Sequence, residues 1–524
     1  MKVDFSRVMG LMALRFAGRE AVVNTERGRR YDFDEYHRLT NRIANVLRLR
    51  LGLGAGDAFM PIIENDNLAL LHFPMFFKQA ATAAFTNYRD SMEEHFRQID
   101  FLGPKVVFLE LPLLGAYAAP LRERGITIVA MDTPPAGADV HSFWELVAAA
   151  PDSPPGVELD VNEHTVLFRF TGGTTERPKC AGYSMDNLFA TRDGFYVEPD
   201  CGYSSKTRNL HLAPLSHGSL MTFLASFFVG GCNLTMNTVD LPRFLDLVEQ
   251  ERVTHSFMVP TILYRLLDLQ REKPRNLASL QTIIYGAAPM SPTKLRELVE
   301  CMGNVFVQGY ASTEAIMAVS LLNKDDHMAA LAGNMEHLAS AGRMAPGIEV
   351  VITDPDGKAV PVGTTGEIRI RSRATIRCYH NNPEATAAEF ADGFWKSGDL
   401  GVLDADGYLT IVDRTKDMII TGGFNVYAVE VEGAVNAHPA VSMCAVVGVP
   451  HDEWGEAVHA EVVLRDGMQA SEEEIVAYVK ARLGAYKSPK SVRFVESLPL
   501  SAVGKVLRRT VRAPYWAGRE RMVH

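Results

Sequence analysis

Cysteine is scarce, with six residues in 524, and the six form no CxxC pair and no His/Cys cluster of zinc-site spacing. Neither a disulfide framework nor a structural metal is indicated, and a reducing cytoplasm fits. Basic charge is also short: 53 Lys and Arg against 63 Asp and Glu leave a formal net charge of −10. That argues against nucleic-acid binding, which favours a basic face, and leaves any anionic ligand to be met by local donors. Long apolar runs are missing as well. The stretches 68–85 and 220–232 are interrupted by His72, Pro74 and Lys78 or fall short of the roughly 20 residues a membrane span needs, so they read as buried helices and not as integral membrane segments. Asp4, Arg7 and Arg15 interrupt the first apolar stretch, which argues against a secretory leader.

What is present is a globular composition, 47% hydrophobic and 22% charged. At roughly 100 to 200 residues per domain the length predicts two to four packed units. From about residue 100 to 315, short β-branched runs (KVVFLE, ITIVAMD, THSFMVP, TIIYGAAP, NVFVQGY) alternate with the helical patterns PTILYRLLDLQRE and PTKLRELVECMG, each opening on proline. Strand and helix in series predict parallel sheets covered by helices. After about residue 345, strands joined by Asp-Gly turns predict a β-rich subdomain. The last hundred residues mix strands with SEEEIVAYVKARL, a helix opened by a Ser471/Glu474 capping box. The fold class is therefore α/β: a large N-terminal domain of parallel or mixed sheets over 1–414, with the β-rich subdomain at about 345–414, and a small α+β domain over 415–524.

The sharpest local signal is FRFTGGTTERPKC. A predicted strand runs into Thr171, Gly172, Gly173, Thr174 and Thr175, and Lys179 closes the loop. Glycines and small hydroxyl residues let N–H and O–H groups turn inward around a polyanion, while one lysine supplies charge. The order differs from the GxxxxGK[ST] loop of P-loop NTPases.

Further segments follow in a fixed order: Pro214 with His217, then Tyr310-Ala311-Ser312-Thr313-Glu314, then Trp395, Ser397, Gly398 and Asp399, then Asp413-Arg414-x-Lys416-Asp417, and finally Gly504-Lys505-x-x-Arg508. With the phosphate loop, this series resembles the adenylate-forming superfamily of acyl-CoA synthetases, luciferases and peptide-synthetase adenylation domains, over about residues 20 to 515. The resemblance implies an AMP-forming acid:CoA ligase that uses ATP, Mg2+ and coenzyme A. It implies a lysine, Lys505, that reaches the carboxylate and α-phosphate, and Glu314 and Thr174 at Mg2+ and phosphate, with Thr313 beside them. It implies Asp399 on the ribose with Arg414 assisting, Tyr310 in the nucleotide site, Gly286, Ala287 and Ala288 along the adenine, and His217 as a gate to the acyl pocket. Lys416 stands where the family has a hinge, about which the small domain rotates to present a face including Gly423 to the thiol step.

Departures from the pattern bear on ATP. Glu176 and Cys180 replace glycines, Gly172 replaces a serine, and Ala311 replaces a glycine. A carboxylate beside a triphosphate is unfavourable unless it faces solvent, so Glu176→Gly is expected to lower the KM for ATP with kcat nearly unchanged. A stand-alone ligase loading a carrier protein, a nucleotide-binding pseudoenzyme and a luciferase-like oxygenase are the alternative readings; retention of Glu314 and Lys505 counts against the second, and the third has fold analogy alone. Leu220, Met221, Phe223, Phe257, Met258 and Val259 are candidates for an apolar wall suited to a medium or large hydrophobic acid, fatty, aromatic or polycyclic. A homodimer is compatible with the sequence, which does not set the oligomeric state.

Overall fold

Both faces of the inner parallel strands in the first two thirds of the chain are covered, which is why apolar residues follow one another in them without alternation. The computed structural model describes residues 1–171, 178–288, 290–316, 319–333, 335–501 and 505–517. One seven-stranded sheet sets Cys180–Ser184, Thr165–Phe170, Thr82–Phe85, Ala58–Ile62, Val106–Leu109, Thr127–Ala130 and His141–Ser142 side by side. Its neighbours are parallel except the first pair. A nine-stranded sheet runs from Arg343–Met344 through Ser320–Leu322, Phe306–Tyr310, Thr282–Gly286, His255–Met258, Arg208–His211, Cys232–Thr235 and Glu20–Asn24 to Arg29–Asp32. It is parallel from Phe306–Tyr310 to Glu20–Asn24 and antiparallel beyond. Residues of both sheets, including Phe59, Phe108, Phe257 and Ile284, share one apolar cluster with the helix residues Phe33, Phe76 and Phe227.

The two proline-initiated patterns form helices Pro260–Glu272 and Pro292–Met302, because the first-turn N–H that proline lacks has no partner in a helix anyway. The stretch 68–85 is buried, as read from the sequence, but it is not simply helical. Short helices Asn65–Leu68 and Phe73–Phe76 give way to strand Thr82–Phe85. Gln79 marks the change: its amide donates to the Phe76 and Ala81 carbonyls at 3.2 and 2.7 Å and accepts from the Ala81 N–H at 2.6 Å. Such local side-chain bonding competes with helix continuation.

Beyond residue 345, strands Glu349–Thr353, Gly366–Arg371, Phe394–Leu403, Phe390–Ala391 and Leu409–Arg414 make an antiparallel sheet. Gly357 and Gly407 take its tight turns at φ of 85° and 82°, conformations that glycine adopts without strain. A further sheet of Phe424–Val426, Ile419–Thr421, Gly455–Leu464, Val441–His451 and Ser491–Phe494 has its own core of Val431, Val446, Val458 and Ile475. Helix Glu472–Leu483 packs there behind the Ser471/Glu474 capping box. The architecture is thus a large N-terminal α/β part followed by a small α+β part.

One arginine ties the two parts together. Arg508 grips Glu432 through Nε and Nη2, at 2.8 and 2.5 Å, and reaches Asp417 at 3.4 Å and Asp413 at 3.5 Å. Asp413, fully buried at the end of the last antiparallel strand, also accepts the Ala428 N–H at 2.5 Å. Three residues before this anchor stands Lys505.

Candidate active site

The parallel strands of the nine-stranded sheet end where their helices begin, and ligands of open α/β sheets bind at such carboxyl ends. At the end of strand Thr282–Gly286, a Cβ on Gly286 would lie 2.2 Å from the Gly309 carbonyl oxygen. Only glycine fits there. Ala287 follows at φ 68° and is exposed, with Ala288 half-exposed beyond it, so the backbone turns outward without a bulky side chain.

The neighbouring strand ends at Tyr310, whose hydroxyl donates to Asp399 Oδ2 at 2.6 Å. Arg414, the register partner of Asp399 on the next strand, donates from Nε to Oδ1 at 3.2 Å. Asp399 is 7% exposed with both oxygens aligned. After Tyr310 the chain makes a tight turn in which Ser312 Oγ accepts the Ala315 N–H at 2.9 Å and the Thr313 carbonyl accepts the Tyr183 hydroxyl. The turn delivers Glu314, whose carboxyl is pushed above its ordinary value by burial, against the opposing hydrogen bond from Tyr379.

Thr171 and Lys179 bracket the loop expected to bind phosphate, the Thr171 N–H donating to the Lys179 carbonyl at 3.0 Å. Gly172, Gly173, Thr174, Thr175 and Glu176 lie outside the described residues, as does Gly504. Lys179 pairs with Glu389. The Tyr379 hydroxyl sits between two carboxylates, 2.7 Å from Glu314 Oε1 and 2.5 Å from Glu389 Oε2. Burial disfavours the Glu389 charge, but Lys179 and Tyr379 prevail and hold its carboxyl below the usual range.

Lys505, in the small part of the chain, lies within electrostatic reach of His217 in the large part. The Lys505 amine is pushed down to about 8 by burial and by Arg414, with Asp399 opposing. The His217 ring is held down at about 3 by burial, then by Arg169 and Lys505. Its Nδ1 lies 2.9 Å from Ser216 Oγ. A ring with that value is neutral at physiological pH. Lys505, Asp399, Arg414 and His217 are thereby linked through direct bonds or electrostatic influence, and Glu314, Tyr379, Glu389 and Lys179 form a second linked group. Lys416 is exposed, its carbonyl accepting from Arg512 at 3.3 Å. Gly423 lies in the exposed two-residue turn between Ile419–Thr421 and Phe424–Val426, where the Gly422 N–H donates to the Trp454 carbonyl at 3.0 Å.

The family profile of AMP-binding enzymes matches residues 12–380, and that of the AMP-binding enzyme C-terminal domain matches residues 430–505. The chain belongs to the AMP-binding enzyme family. It is 38% identical over 385 residues to a medium/long-chain-fatty-acid–CoA ligase of Mycobacterium tuberculosis, a match that takes in 72% of this chain and 64%, less than two thirds, of that relative. A feruloyl-CoA synthase of Amycolatopsis sp. is 39% identical over 70% of this chain and 72% of its own. A long-chain-fatty-acid–CoA ligase of M. tuberculosis is 32% identical over 95% of this chain and 96% of its own. Among solved structures, ATP-bound MatB from Rhodopseudomonas palustris superposes with a TM-score of 0.86 at 28% identity, covering 98% of this chain and 99% of MatB.

In this AMP-binding enzyme the residues expected to form an apolar wall divide. Phe257 presses against the backbone beside His217, where a Cβ on Gly218 would lie 2.4 Å from its ring. Met221 is partly exposed, and Val259 is 6% exposed. Leu220 and Phe223 are core instead: both are fully buried, and the Phe223 ring lies tilted against His72 with centroids 4.3 Å apart. Met258, one residue after Phe257, points to the opposite face of its strand and joins a separate cluster with Leu263 and Tyr285. Arg169, Tyr183, Tyr379 and Glu389 are none of the residues that the sequence motifs single out. Arg169 carried the one available signal, a charge inside the otherwise apolar strand Thr165–Phe170.

Among the described residues no group of three or more His, Cys, Asp or Glu could hold a metal ion. A single buried carboxylate does fit Mg2+, which is held by one or two carboxylates together with substrate phosphates and water; Glu314 is such a carboxylate, buried with Oε1 bonded to Tyr379. No helix among the described residues is long and apolar enough to cross a membrane.

Proposed function

We propose that this enzyme activates a hydrophobic carboxylic acid with ATP and then transfers the acyl group to coenzyme A. In the first step a carboxylate oxygen bonds to the α-phosphorus and pyrophosphate leaves. In the second the CoA sulfur bonds to the acyl carbon and AMP leaves. The observation that carries this reading is the convergence of Lys505, from the small part of the chain, with His217, Asp399 and Arg414 of the large part. Attack of one anion on another needs charge that is already in place when the transition state forms. Lys505 supplies it at the carboxylate and α-phosphate, Lys179 and the loop from Thr171 to Thr175 hold the other phosphates, and Tyr310 and Arg414 aim Asp399 at the ribose. Mg2+, held by Glu314 and the phosphates with Thr174 alongside, would neutralise further charge.

His217, packed beside Phe257, borders the acyl pocket. Relatives that act on fatty acids and on ferulic acid support a fatty or aromatic acid, and Phe257, Met221 and Val259 offer it apolar surface. After adenylation the small domain, 415–524, turns about Lys416 and brings the Gly423 turn to the thiol step. Free cysteines throughout suit a reducing cytoplasm.

Pyrophosphate release with Mg-ATP and a panel of fatty, aromatic and polycyclic acids, with and without CoA, tests the proposal. Acid-dependent release that turns over only with CoA, and collapses in Lys505→Ala, is the expected result. ATP binding without release for any acid overturns it; release that CoA does not accelerate moves the acceptor to a carrier protein.

A further inference from the structure

Lys179 closes the phosphate loop, yet its ammonium is already engaged. Its partner, Glu389, ends the helix Pro383–Glu389, 210 residues further along the chain. The two side chains are 19% and 26% exposed, so water screens the pair less than it would an open surface bridge. Glu389 is also aimed. One oxygen meets Lys179, and the other is held by the Tyr379 hydroxyl at 2.5 Å. The Tyr379 ring lies under the lysine as well, its centroid 5.6 Å from Nζ.

We propose that Glu389 is the resting counter-ion of the phosphate-loop lysine, and that ATP binds by exchange, its triphosphate taking Lys179 away from Glu389. The proposal rests on the reading of Lys179 as a phosphate contact. A partly desolvated lysine beside an anion site costs free energy if left without a partner. Glu389 relieves that cost in the nucleotide-free enzyme, and for the same reason it competes with the incoming phosphate. The exchange leaves the Glu389 charge near the triphosphate with its strongest partner gone. Net affinity for ATP is therefore set below what the loop and Lys179 alone would give. Glu389 acts through Lys179, as a positioning residue, without touching ATP.

Calorimetric titration of Mg-ATP into the wild type, Glu389→Gln, Lys179→Ala and the double variant tests this. Gln is nearly isosteric and keeps an acceptor for Tyr379. Glu389→Gln is expected to bind Mg-ATP about three- to tenfold more tightly, the scale of one partly screened pair. Lys179→Ala is expected to bind more weakly, and Glu389→Gln to give a smaller gain in that background than in the wild type, because the competition for Lys179 is gone and only the nearby charge remains. Unchanged or weakened binding in Glu389→Gln, beside weakened binding in Lys179→Ala, overturns the counter-ion role and leaves the ATP site standing. An equal gain in both backgrounds also overturns it, since Glu389 would then act only as a nearby negative charge. Lys179→Ala binding ATP as well as wild type overturns the ATP-site reading itself. Should Glu389→Gln fail to fold, as thermal unfolding would reveal, Glu389→Asp keeps the charge but shortens its reach; a smaller gain in affinity is expected there, and none overturns the proposal.

Discussion

Tyr310 donates its hydroxyl hydrogen to Asp399 Oδ2 at 2.6 Å, so the carboxylate proposed to receive the ribose is oriented before any nucleotide arrives. Arg414 fixes the other oxygen from the adjoining strand. Removing a hydrogen bond to a charged group costs about 1.5–3 kcal/mol. Tyr310→Phe should therefore raise the KM for ATP about tenfold or more with a smaller effect on kcat. Asp399→Asn should do at least as much. Steady-state kinetics with varied ATP at saturating acid reads the split; an equal loss in kcat would instead place Tyr310 in the chemical step.

Gly218 leaves room for the Phe257 ring beside His217, and a methyl group there would lie 2.4 Å from a ring carbon. Gly218→Ala must displace the ring, and such overpacking typically costs about 1–3 kcal/mol. Because Phe257 borders the proposed acyl pocket, the displacement should change which acids are accepted and leave the KM for ATP near its wild-type value. Phe257→Leu in the Gly218→Ala background should restore part of the wild-type acid profile. A profile that does not move in either variant would take Phe257 out of the acid site.

The strands and helices of residues 254 to 310 were legible in the sequence, because covered parallel strands carry uninterrupted apolar runs and their helices open on proline. Gly286 was legible only in part. Its small size reads as room for a nucleotide, whereas the Gly309 carbonyl 2.2 Å from a would-be Cβ makes glycine obligatory for strand pairing as well. The acid wall was half legible, since apolar character does not tell which face of a strand a residue takes; Phe257 and Met258 are neighbours in sequence and belong to different clusters. The Lys179–Glu389 pair was not legible at all. It joins residues 210 positions apart with no local pattern to announce it.

Arg508 grips Glu432 and reaches Asp413 and Asp417, which places four charges at the junction of the two parts. Removing one partner of such a cluster leaves buried charge uncompensated, at about 3–5 kcal/mol. Arg508→Ala should lower the free energy of unfolding by that order and make the segment around 415–420 sensitive to protease. Arg508→Lys should recover little, because an ammonium cannot reproduce the two-armed contact with Glu432. Pyrophosphate release should fall in both variants, since the same anchor presents Lys505. Wild-type stability in Arg508→Ala would mean that the cluster does not join the parts.

Lys505 gives activity a pH dependence opposite to that of stability. Its amine, ordinarily near 10.5, is pushed down to about 8 by burial and Arg414. The proposed role needs the ammonium, so kcat/KM for acid-dependent pyrophosphate release, which reports the free enzyme, should fall as pH rises through about 8. Lys505→Arg keeps its charge throughout; its rate should be lower, from altered reach, but the alkaline decline should disappear. Stability moves the other way. Between about 8 and 10.5 the unfolded chain holds a proton on this residue that the folded chain has lost, and stability rises with pH wherever the unfolded state binds more protons. The contribution is therefore absent below about 8 and complete above 10.5. Measuring both slopes on wild type and Lys505→Arg separates titration of Lys505 from alkaline unfolding. A decline that persists unchanged in Lys505→Arg would assign it to another group.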